Sequence, residues 1–287
     1  MMKKYFKLMR MHHYIKNLLV FAAIICSGQL FDAEKFVHCL LGFIAFCAVA
    51  SVIYIINDLK DVEKDRNHPT KCKRPIASGQ ISEGKAKILA SVILVFAIAT
   101  SILLFDFKAM LLLLAYLILN LGYSFGLKDI PMVDIIILVS GFLIRVLFGA
   151  VITQIEISNW LYLTVIAMSF YLALGKRRNE LKRICGDSTR KVLKEYSVEF
   201  LDKNMGMCLT LANVFYALWS MDEKTATHYN SQYLIFTVPI VLIITMKYSL
   251  NIEGNSDGDP VEVILKDKVL ISLCFVYALV MMAVLYL

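Results

Sequence analysis

An apolar run over residues 38–57 ends in the charged stretch Asn57-Asp58-Leu59-Lys60-Asp61-Val62-Glu63-Lys64-Asp65-Arg66-Asn67-His68-Pro69-Thr70-Lys71-Cys72-Lys73-Arg74-Pro75. Asn57, Asp61 and Asp65 recur every four residues, so on a helix their side chains lie on one face. Mg²⁺ prefers such oxygen ligands and usually shares them with substrate phosphates, which the basic side chains that follow are suited to bind. A solvated loop held at a membrane surface by its charge is the alternative, but it needs no regular acidic spacing. The stretch therefore predicts a metal site at the end of a membrane helix.

The composition indicates an all-α integral membrane protein. Apolar residues make up 59% of the chain and charged residues 18%, against roughly 45–50% and 25% in soluble domains. Nine apolar runs approach the roughly 20 residues that span a bilayer, and the weakest is the first, which Gly28 and Asp32 interrupt. We therefore expect one transmembrane domain over residues 1–287, with a retained N-terminal helix rather than a cleaved signal peptide. The nine predicted helices are 15–34, 38–57, 86–105, 108–127, 131–153, 158–175, 204–221, 232–250 and 269–287.

The distribution of Lys and Arg predicts the orientation in the membrane. Nearly all of the 30 basic residues fall in alternate connections, and basic connections face the cytoplasm. We therefore expect a multi-pass protein of the cell inner membrane whose polar cavity opens to the cytoplasm. The net charge of +7 suits anionic lipids and phosphorylated substrates. No nucleic-acid-binding signature accompanies it, so nucleic acid is not an expected partner. The two long cytoplasmic loops are predicted at about 58–85 and 176–203.

A second charged motif, Gly175-Lys176-Arg177-Arg178-Asn179-Glu180, follows the sixth apolar run. Lys176 and Glu180 are four residues apart, and such a helix-surface ion pair contributes roughly 0.2–0.5 kcal/mol. The alternative is that the motif forms a second half of the substrate site. It would then lie opposite the acidic stripe, which is the set Asn57, Asp61 and Asp65, and bind a phosphate. The motif alone supports both interpretations equally.

The motifs resemble the UbiA-type prenyltransferase superfamily. Asn57-x3-Asp61-x3-Asp65 resembles its first aspartate motif. The longer form, which is complete from Asn57 to Gly79, resembles the branch that includes decaprenyl-phosphate phosphoribosyltransferases. Four further stretches agree with that branch, so the resemblance covers nearly the whole chain. They are Arg10-x5-Lys16-Asn17, Gly141-Phe142-x2-Arg145, Gly175-Lys176-Arg177-x2-Glu180 and Gly258-Asp259-Pro260-x-Glu262.

Two departures from the superfamily pattern concern the substrates. The N-terminal segment usually has Arg-Pro-x-Gln-Trp, whereas this chain has Met11, His13 and Tyr14 there. Members that use a prenyl diphosphate carry a second aspartate cluster for additional Mg²⁺. Here that place holds Lys176, Arg177 and Arg178, which disfavour a second metal and favour a phosphate. The resemblance therefore implies a phosphorylated sugar donor.

The implied reaction transfers 5-phosphoribose from phosphoribosyl pyrophosphate to a polyprenyl phosphate. Mg²⁺ on Asn57, Asp61 and Asp65 would neutralise the leaving pyrophosphate. The acceptor phosphate is already an anionic nucleophile, so catalysis would consist mainly of positioning and electrostatic stabilisation. The implied catalytic residues are Asp58, Asp61 and Asp65. The implied substrate-binding residues are Lys16, Asn17, Arg66, Lys71, Arg74, Tyr123, Lys128, Arg145, Lys176, Arg177 and Glu180. Homo-oligomerisation is compatible with the sequence.

Some of these residues have a structural alternative. Arg145 lies in mid-span, where a charge is costly and usually faces a polar interior, so it either holds a phosphate or pairs with a residue such as Asp134. Lys16 either reaches the donor or extends its amine to the membrane interface. Tyr123 either lines the site or packs between helices. Asp259 and Glu262 are expected to order a loop or lid.

Two other functions stay open on sequence grounds. A UbiA-type prenyltransferase that acts on an aromatic acceptor would need the second acidic cluster, which is missing here. A lipid carrier without enzymatic activity would not need an acidic stripe with metal-ligand spacing.

Overall fold

The computed structural model describes residues 2–68, 70–104, 106–183, 191–229, 233–254, 256 and 258–286. Within these residues every regular element is helical, which confirms the all-α fold class. Pro69, residues 184–190 of the second loop and Leu287 lie outside the described residues. The α-helices are α1 Met2–Met9, α2 Ala22–Cys26, α3 Ala33–Lys60, α4 Val62–Arg66, α5 Glu83–Leu103, α6 Phe107–Phe125, α7 Val133–Thr153, α8 Asn159–Lys182, α9 Val198–Met221, α10 Glu223–Tyr229, α11 Val238–Glu253, α12 Pro260–Lys266 and α13 Lys268–Tyr286. Short 3₁₀ helices cover Met11–Phe21, Lys71–Lys73, Leu127–Asp129, Lys191–Glu195 and Tyr233–Thr237.

Six helical segments of the described chain are long and apolar enough to cross a membrane. The helices α8 and α9 are also long, at 24 residues each, but they are less apolar and are not among these six. The predicted number of nine spans is therefore not confirmed. The six segments are Ala33–Lys60, Glu83–Leu103, Phe107–Phe125, Val133–Thr153, Tyr233–Glu253 and Lys268–Leu285.

The first predicted span is divided into shorter pieces. A 3₁₀ helix over Met11–Phe21 passes into α2, and the chain then turns at Gly28, whose φ of 70° suits a residue without a side chain. Asp32 begins the next helix, because its carboxylate accepts the backbone N–H groups of Glu34 and Lys35. The residues that weaken the apolar run are thus the ones that end one helix and begin another.

The charged ends of the long helices extend beyond the apolar runs. Helix α3 continues to Lys60, α8 continues to Lys182, and α9 already begins at Val198. The loops predicted at 58–85 and 176–203 are consequently shorter in the structure. Lys, Arg and Glu favour helix as strongly as most apolar residues do, so hydropathy alone places these ends too early. Several helices begin at a side-chain cap, namely α5 at Ser82, α6 at Asp106, α8 at Ser158 and α9 at Ser197.

The chain forms two compact units, and the first comprises residues 1–126 and 144–156. Its core is aromatic, because the Phe46 ring lies 4.6 Å from Tyr116 and 5.6 Å from Phe148 between ring centroids. Gly149 allows the second half of α7 to touch the N-terminal segment, since a Cβ at this position would lie 1.9 Å from the carbonyl oxygen of Val20. The unit contains the acidic motif.

The second unit comprises residues 127–143 and 157–287. Its core is built on α8 and α9, with Tyr171, Leu174 and Leu201 buried, and Ile252 of α11 packs against it. Gly175 permits this close packing, because a Cβ there would lie 2.5 Å from the Ile252 Cδ1 atom. The unit contains the basic motif. The expectation that both units form one transmembrane domain stays a prediction.

Candidate active site

The acidic motif keeps its helical spacing across a break between two helices. Helix α3 ends at Lys60 and α4 begins at Val62. The N–H of Asp61 donates to the carbonyl of Asn57 at 3.0 Å, and the N–H of Asp65 donates to the carbonyl of Asp61 at 2.8 Å. These bonds keep the four-residue backbone repeat through the junction, which is the spacing that places side chains on one face of a helix.

Two arginines pair with two aspartates of this motif, and one of them, Arg10, comes from the N-terminal segment. The Asp58 carboxylate, which is 3% exposed, accepts from Arg10 Nη2 at 2.6 Å and lies 3.2 Å from Arg74 Nη1. The same Arg74 nitrogen donates to Asp65 Oδ2 at 2.6 Å. Buried carboxylates are stable as anions only when they are paired, and here each of them has a guanidinium partner.

Ser124, at the end of α6, holds the first residue of the stripe. Its hydroxyl contacts Asn57 Oδ1 and also lies 2.7 Å from the carbonyl oxygen of Asn120. A hydroxyl has one proton, so it donates to one of these oxygens at a time. Lys60 also fixes the end of α6 next to the end of α3, because its amine donates to the Ser124 carbonyl at 2.6 Å.

His68 orders the basic loop that follows the stripe. Its Nδ1 atom is 3.3 Å from the N–H of Thr70 and 3.4 Å from that of Lys71, so the ring accepts both as a neutral imidazole. Burial and the positive charge of Lys71 lower the pKa of His68. Helix α1 braces the loop from outside, since Lys7 donates to the carbonyl of Lys73 at 3.1 Å. Arg66 and Lys71 are exposed and can reach a ligand from solvent.

Arg145 lies in a polar network inside the first unit. Its Nε donates to Asn17 Oδ1 at 2.8 Å and its Nη2 donates to the Tyr116 hydroxyl at 2.9 Å. The guanidinium also lies 5.0 Å from the ring centre of Phe46, a favourable cation–π distance. The alternative pairing with Asp134 is wrong, because eleven residue steps along α7 place the two Cα atoms about 16 Å apart. Asn17 is only 1% exposed, so in this structure it supports Arg145 and does not reach toward solvent.

Three predicted residues lie at the ends of apolar segments. Lys16 belongs to the N-terminal 3₁₀ helix, Tyr123 to the last turn of α6, and Lys128 to the 3₁₀ helix Leu127–Asp129. All three are half-buried. Their positions fit both the substrate-binding and the structural interpretation.

Arg177 is held by two carboxylates. Its side chain is fully buried, and its Nε donates to Asp134 Oδ2 at 2.5 Å while its Nη1 donates to Glu180. The hydroxyl of Tyr196 donates to the other Asp134 oxygen at 2.7 Å. A desolvated guanidinium between two carboxylates is strongly held. The phosphate contacts expected of Arg177 and Glu180 stay predictions, and in this structure the Arg177 guanidinium is taken up by Asp134 and Glu180.

Lys176 is the half-exposed cation of the second motif. Arg178 is buried and pairs with Asp202. Asn179 fixes the helix against the last turn of α11, because its amide donates to the Ile252 carbonyl at 2.8 Å. Gly258 packs on the same turn, since a Cβ at this position would lie 2.8 Å from Lys176 Cα. Among the cations from 176 to 178, Lys176 is thus the one with access to a ligand.

The last predicted loop residues have local roles. The Asp259 carboxylate accepts the N–H of Val261 at 3.0 Å and so begins α12. Glu262 forms an exposed pair with Lys266 at 2.6 Å. The loop-ordering role of Asp259 is consistent with this cap.

The oxygen ligands of the acidic stripe fit Mg²⁺. No group of three or more His, Cys, Asp or Glu side chains in the described chain is arranged as a metal site, and the stripe offers two carboxylates and one amide oxygen. Mg²⁺ is typically held by one or two carboxylates together with substrate phosphates rather than by a complete protein cage. The Ser124 proton can turn to Asn120, which leaves Asn57 Oδ1 able to accept a cation. A metal that shares its ligands with a phosphorylated substrate therefore fits these residues.

Sequence reasoning did not place Arg10 and Ser124 in the site. Arg10 occurs in the N-terminal motif, and its left-handed backbone, with φ 53° and ψ 48°, is unusual for a residue with a side chain. Such a conformation is often found at a functional position. Its motif position was the available signal, whereas Ser124 gave none because its partner is 67 residues away.

Fold and motifs together define an all-helical membrane protein with a charged motif at the end of a spanning helix. Residues 18–260 match the model of the UbiA prenyltransferase family. The chain belongs to this family, and it is a transferase of the membrane.

Curated relatives match over most of the chain. It is 36% identical over 283 residues to a decaprenyl-phosphate phosphoribosyltransferase of Corynebacterium glutamicum, which covers 96% of this chain and 85% of the relative. It is 37% identical over 277 residues to the protein of the same name from Mycolicibacterium smegmatis, with 92% and 86% covered.

Solved structures share the fold. A UbiA homologue from Archaeoglobus fulgidus, bound to DMAPP and Mg²⁺, gives a TM-score of 0.72 at 18% identity over 98% of this chain and 99% of that one. A homologue from Aeropyrum pernix K1 gives a TM-score of 0.64 at 15% identity, with 92% and 97% covered. At such identities the likeness establishes the fold.

Proposed function

We propose that this protein transfers the 5-phosphoribosyl group of phosphoribosyl pyrophosphate to a polyprenyl phosphate at the cytoplasmic face of the cell inner membrane. The observation that carries the proposal is the second motif, in which Lys176 is half-exposed while Arg177 and Arg178 are each paired with a carboxylate. This arrangement offers a cation to a phosphate, and the described part of the motif, residues 175–183, contains Glu180 as its acidic residue and no cluster for a second metal. Two relatives at 36–37% identity are named for this transfer.

The acidic motif would hold the metal that neutralises the leaving pyrophosphate. Mg²⁺ supplies positive charge to the pyrophosphate, and the structure of a family member with bound Mg²⁺ supports the use of a divalent metal. Asn57, Asp61 and Asp65 would hold the ion. Asp58 is buried between Arg10 and Arg74, so its contribution is to orient these arginines.

Different basic side chains would bind the pyrophosphate and the 5-phosphate of the donor. Lys71 and Arg74 lie on the loop that follows the stripe and would bind the pyrophosphate, with Arg66 exposed nearby on the chain. Lys176 would bind the 5-phosphate. Each contact is a charge-assisted hydrogen bond, the stronger class in proteins.

The reaction needs no proton transfer. An oxygen of the polyprenyl phosphate attacks C1 of the ribose, the bond from C1 to the pyrophosphate oxygen breaks, and pyrophosphate leaves with the bonding electrons. The products are polyprenyl-phosphoryl-5-phosphoribose and pyrophosphate, so atoms and charge balance. The protein contributes orientation and stabilises the departing negative charge.

The test uses detergent-purified protein, phosphoribosyl pyrophosphate labelled in the 5-phosphate, and a polyprenyl phosphate. The label should move to the lipid fraction with one pyrophosphate released per transfer, and removal of Mg²⁺ should stop both. Release of pyrophosphate without labelled lipid would show that the donor is hydrolysed instead, and the proposal would then be wrong.

A further inference from the structure

One guanidinium nitrogen lies between two carboxylates of the acidic motif. Arg74 Nη1 is 2.6 Å from Asp65 Oδ2 and 3.2 Å from Asp58 Oδ1. Both carboxylates are almost completely buried, whereas the Arg74 side chain is 26% exposed. A positive charge at this point stabilises both anions.

The two carboxylates differ in what else holds them. Asp58 is also paired with Arg10 at 2.6 Å, and the Arg10 guanidinium lies 4.9 Å from the Tyr54 ring. For Asp65, Arg74 is the cation that the described structure provides. A displacement of Arg74 would therefore leave Asp58 neutralised but would expose the charge of Asp65 to a new cation.

Asp65 is also a proposed ligand of the metal. Arg74 and a divalent ion are both stabilised by the one negative charge of Asp65 and repel each other at short range, so they compete for this carboxylate. Arg74 follows the 3₁₀ helix Lys71–Lys73 and has extended backbone angles, with φ −67° and ψ 146°. Its side chain is long and partly exposed, so it can turn while the backbone stays in place.

We propose that Arg74 is a placeholder cation: it neutralises Asp65 until the metal takes that carboxylate, and it then binds the leaving pyrophosphate. This inference rests on the proposed function, since it assumes the metal site and the phosphorylated donor. Once the metal holds Asp65, Arg74 is available to the donor's pyrophosphate, and a pyrophosphate that binds Arg74 in turn favours the metal at Asp65. Metal and donor consequently bind with positive coupling, and each strengthens the binding of the other.

The competition predicts that removal of Arg74 strengthens metal binding in the absence of donor. Loss of one charge-assisted contact to a partly exposed partner corresponds to about tenfold in the dissociation constant. Lys73→Ala is the matched control, because it removes one positive charge from the adjacent exposed position without removing the bridge. Its effect on metal binding should stay within about twofold, as expected for a screened surface charge.

The measurement is Mn²⁺ binding to the donor-free, full-length protein in detergent, followed by the EPR signal of free Mn²⁺. Wild type, Arg74→Ala, Arg74→Gln and Lys73→Ala are compared, each checked for a single sharp elution peak. Arg74→Gln keeps amide donors near both carboxylates and replaces Arg74→Ala if that variant does not fold. Asp65→Asn in each background identifies binding at this site, which it should abolish.

The outcomes separate this inference from the proposed function. Tighter Mn²⁺ binding in the Arg74 variants than in Lys73→Ala supports the placeholder, including the case in which wild type shows no binding. Equal or weaker binding in the Arg74 variants overturns it, even if the wild type transfers phosphoribose with Mg²⁺. Binding that persists with Asp65→Asn overturns it as well, because the metal is then elsewhere. If the Arg74 variants bind Mn²⁺ more tightly than Lys73→Ala does, but the wild type transfers no phosphoribose, the proposed function alone is refuted.

Discussion

Asp65 and Glu63 are two residues apart and lie in opposite surroundings. Asp65 is buried against Arg74, while Glu63 is exposed. Asp61→Asn or Asp65→Asn should lower the transfer rate by at least about a hundredfold, because loss of a charged group at the leaving group removes several kcal/mol of stabilisation. Both proteins should still insert in membranes, because Arg74 is partly exposed and keeps Asp58 as a partner when Asp65 is changed. Glu63→Gln is the control and should keep its activity; full activity of both Asp variants at limiting Mg²⁺ would refute the metal assignment.

Lys176 and Arg177 are neighbours with different expected phenotypes. Lys176→Ala should raise the KM for the donor and leave the KM for the lipid unchanged, since the half-exposed amine would bind a phosphate of the donor alone. One charge-assisted hydrogen bond is worth roughly 1.5–3 kcal/mol, which corresponds to about tenfold to a hundredfold. Steady-state kinetics with each substrate varied in turn measure both constants. An increase confined to the lipid KM would show that Lys176 binds the acceptor.

His68 makes the basic loop sensitive to acid. Its pKa is lowered in the folded protein by burial and by Lys71, so the folded state prefers the neutral ring. The resulting stabilisation is present above the pKa of the unfolded chain, roughly 6.5, and is lost as the pH falls through that value toward the lower pKa of the folded state. Wild type should therefore lose thermal stability between pH 7.5 and 5.5 relative to His68→Gln. His12→Gln, at an exposed position, is the control, and a parallel loss in wild type and His68→Gln would contradict the assignment.

At the scale of helices, the Arg177–Asp134 pair joins α8 to the first turn of α7. Arg177→Ala would leave the Asp134 carboxylate buried without its guanidinium, and breaking a buried pair on one side costs about 3–5 kcal/mol. We expect a large decrease in thermal stability in detergent, whereas Lys176→Ala should unfold as wild type does. The double variant Arg177→Met/Asp134→Leu should recover part of the loss, because the fully buried carboxylate is removed together with its guanidinium and Glu180 is partly exposed to solvent. Wild-type stability of Arg177→Ala would show that the pair is not needed for folding.

Hydropathy predicted most of the helices but not where they end. The ends of α5, α6 and α7 lie within a few residues of the predicted ones, because apolar runs there stop close to side-chain caps such as Asp106. The end of α8 was placed seven residues early, at 175 instead of Lys182. Lys, Arg and Glu have a high helix propensity. A helix can therefore continue through charged residues after its apolar part has ended.

The site was predictable where its chemistry is local. The repeat of Asn57, Asp61 and Asp65 depends on helical spacing, which the sequence contains. Arg177 pairs with Asp134, which lies 43 residues earlier in the chain. No local sequence pattern predicts a partner at that distance. Ser124 and Arg10 were missed for the same reason, because both reach the motif through tertiary contacts.

At the scale of the whole molecule, the charge distribution predicts topology. Single cysteines at Lys64 and Thr227, both exposed, are introduced into a protein without its native cysteines. Lys64→Cys should react with a membrane-impermeant thiol reagent only in inside-out vesicles, because its basic connection faces the cytoplasm. Thr227→Cys should react only in right-side-out cells. Labelling of both positions from the same side would overturn the predicted orientation.

The identity of the donor distinguishes the two candidate reactions, and a competition between the two donors measures it. Purified protein receives labelled phosphoribosyl pyrophosphate with a polyprenyl phosphate, and in the same reaction a prenyl diphosphate with 4-hydroxybenzoate, at saturating Mg²⁺. Ribosylated lipid should form and no prenylated aromatic product should appear, because Lys176 would bind a phosphate and the motif Gly175–Glu180 contains no acidic cluster for another metal. Prenylated 4-hydroxybenzoate without ribosylated lipid would contradict the account.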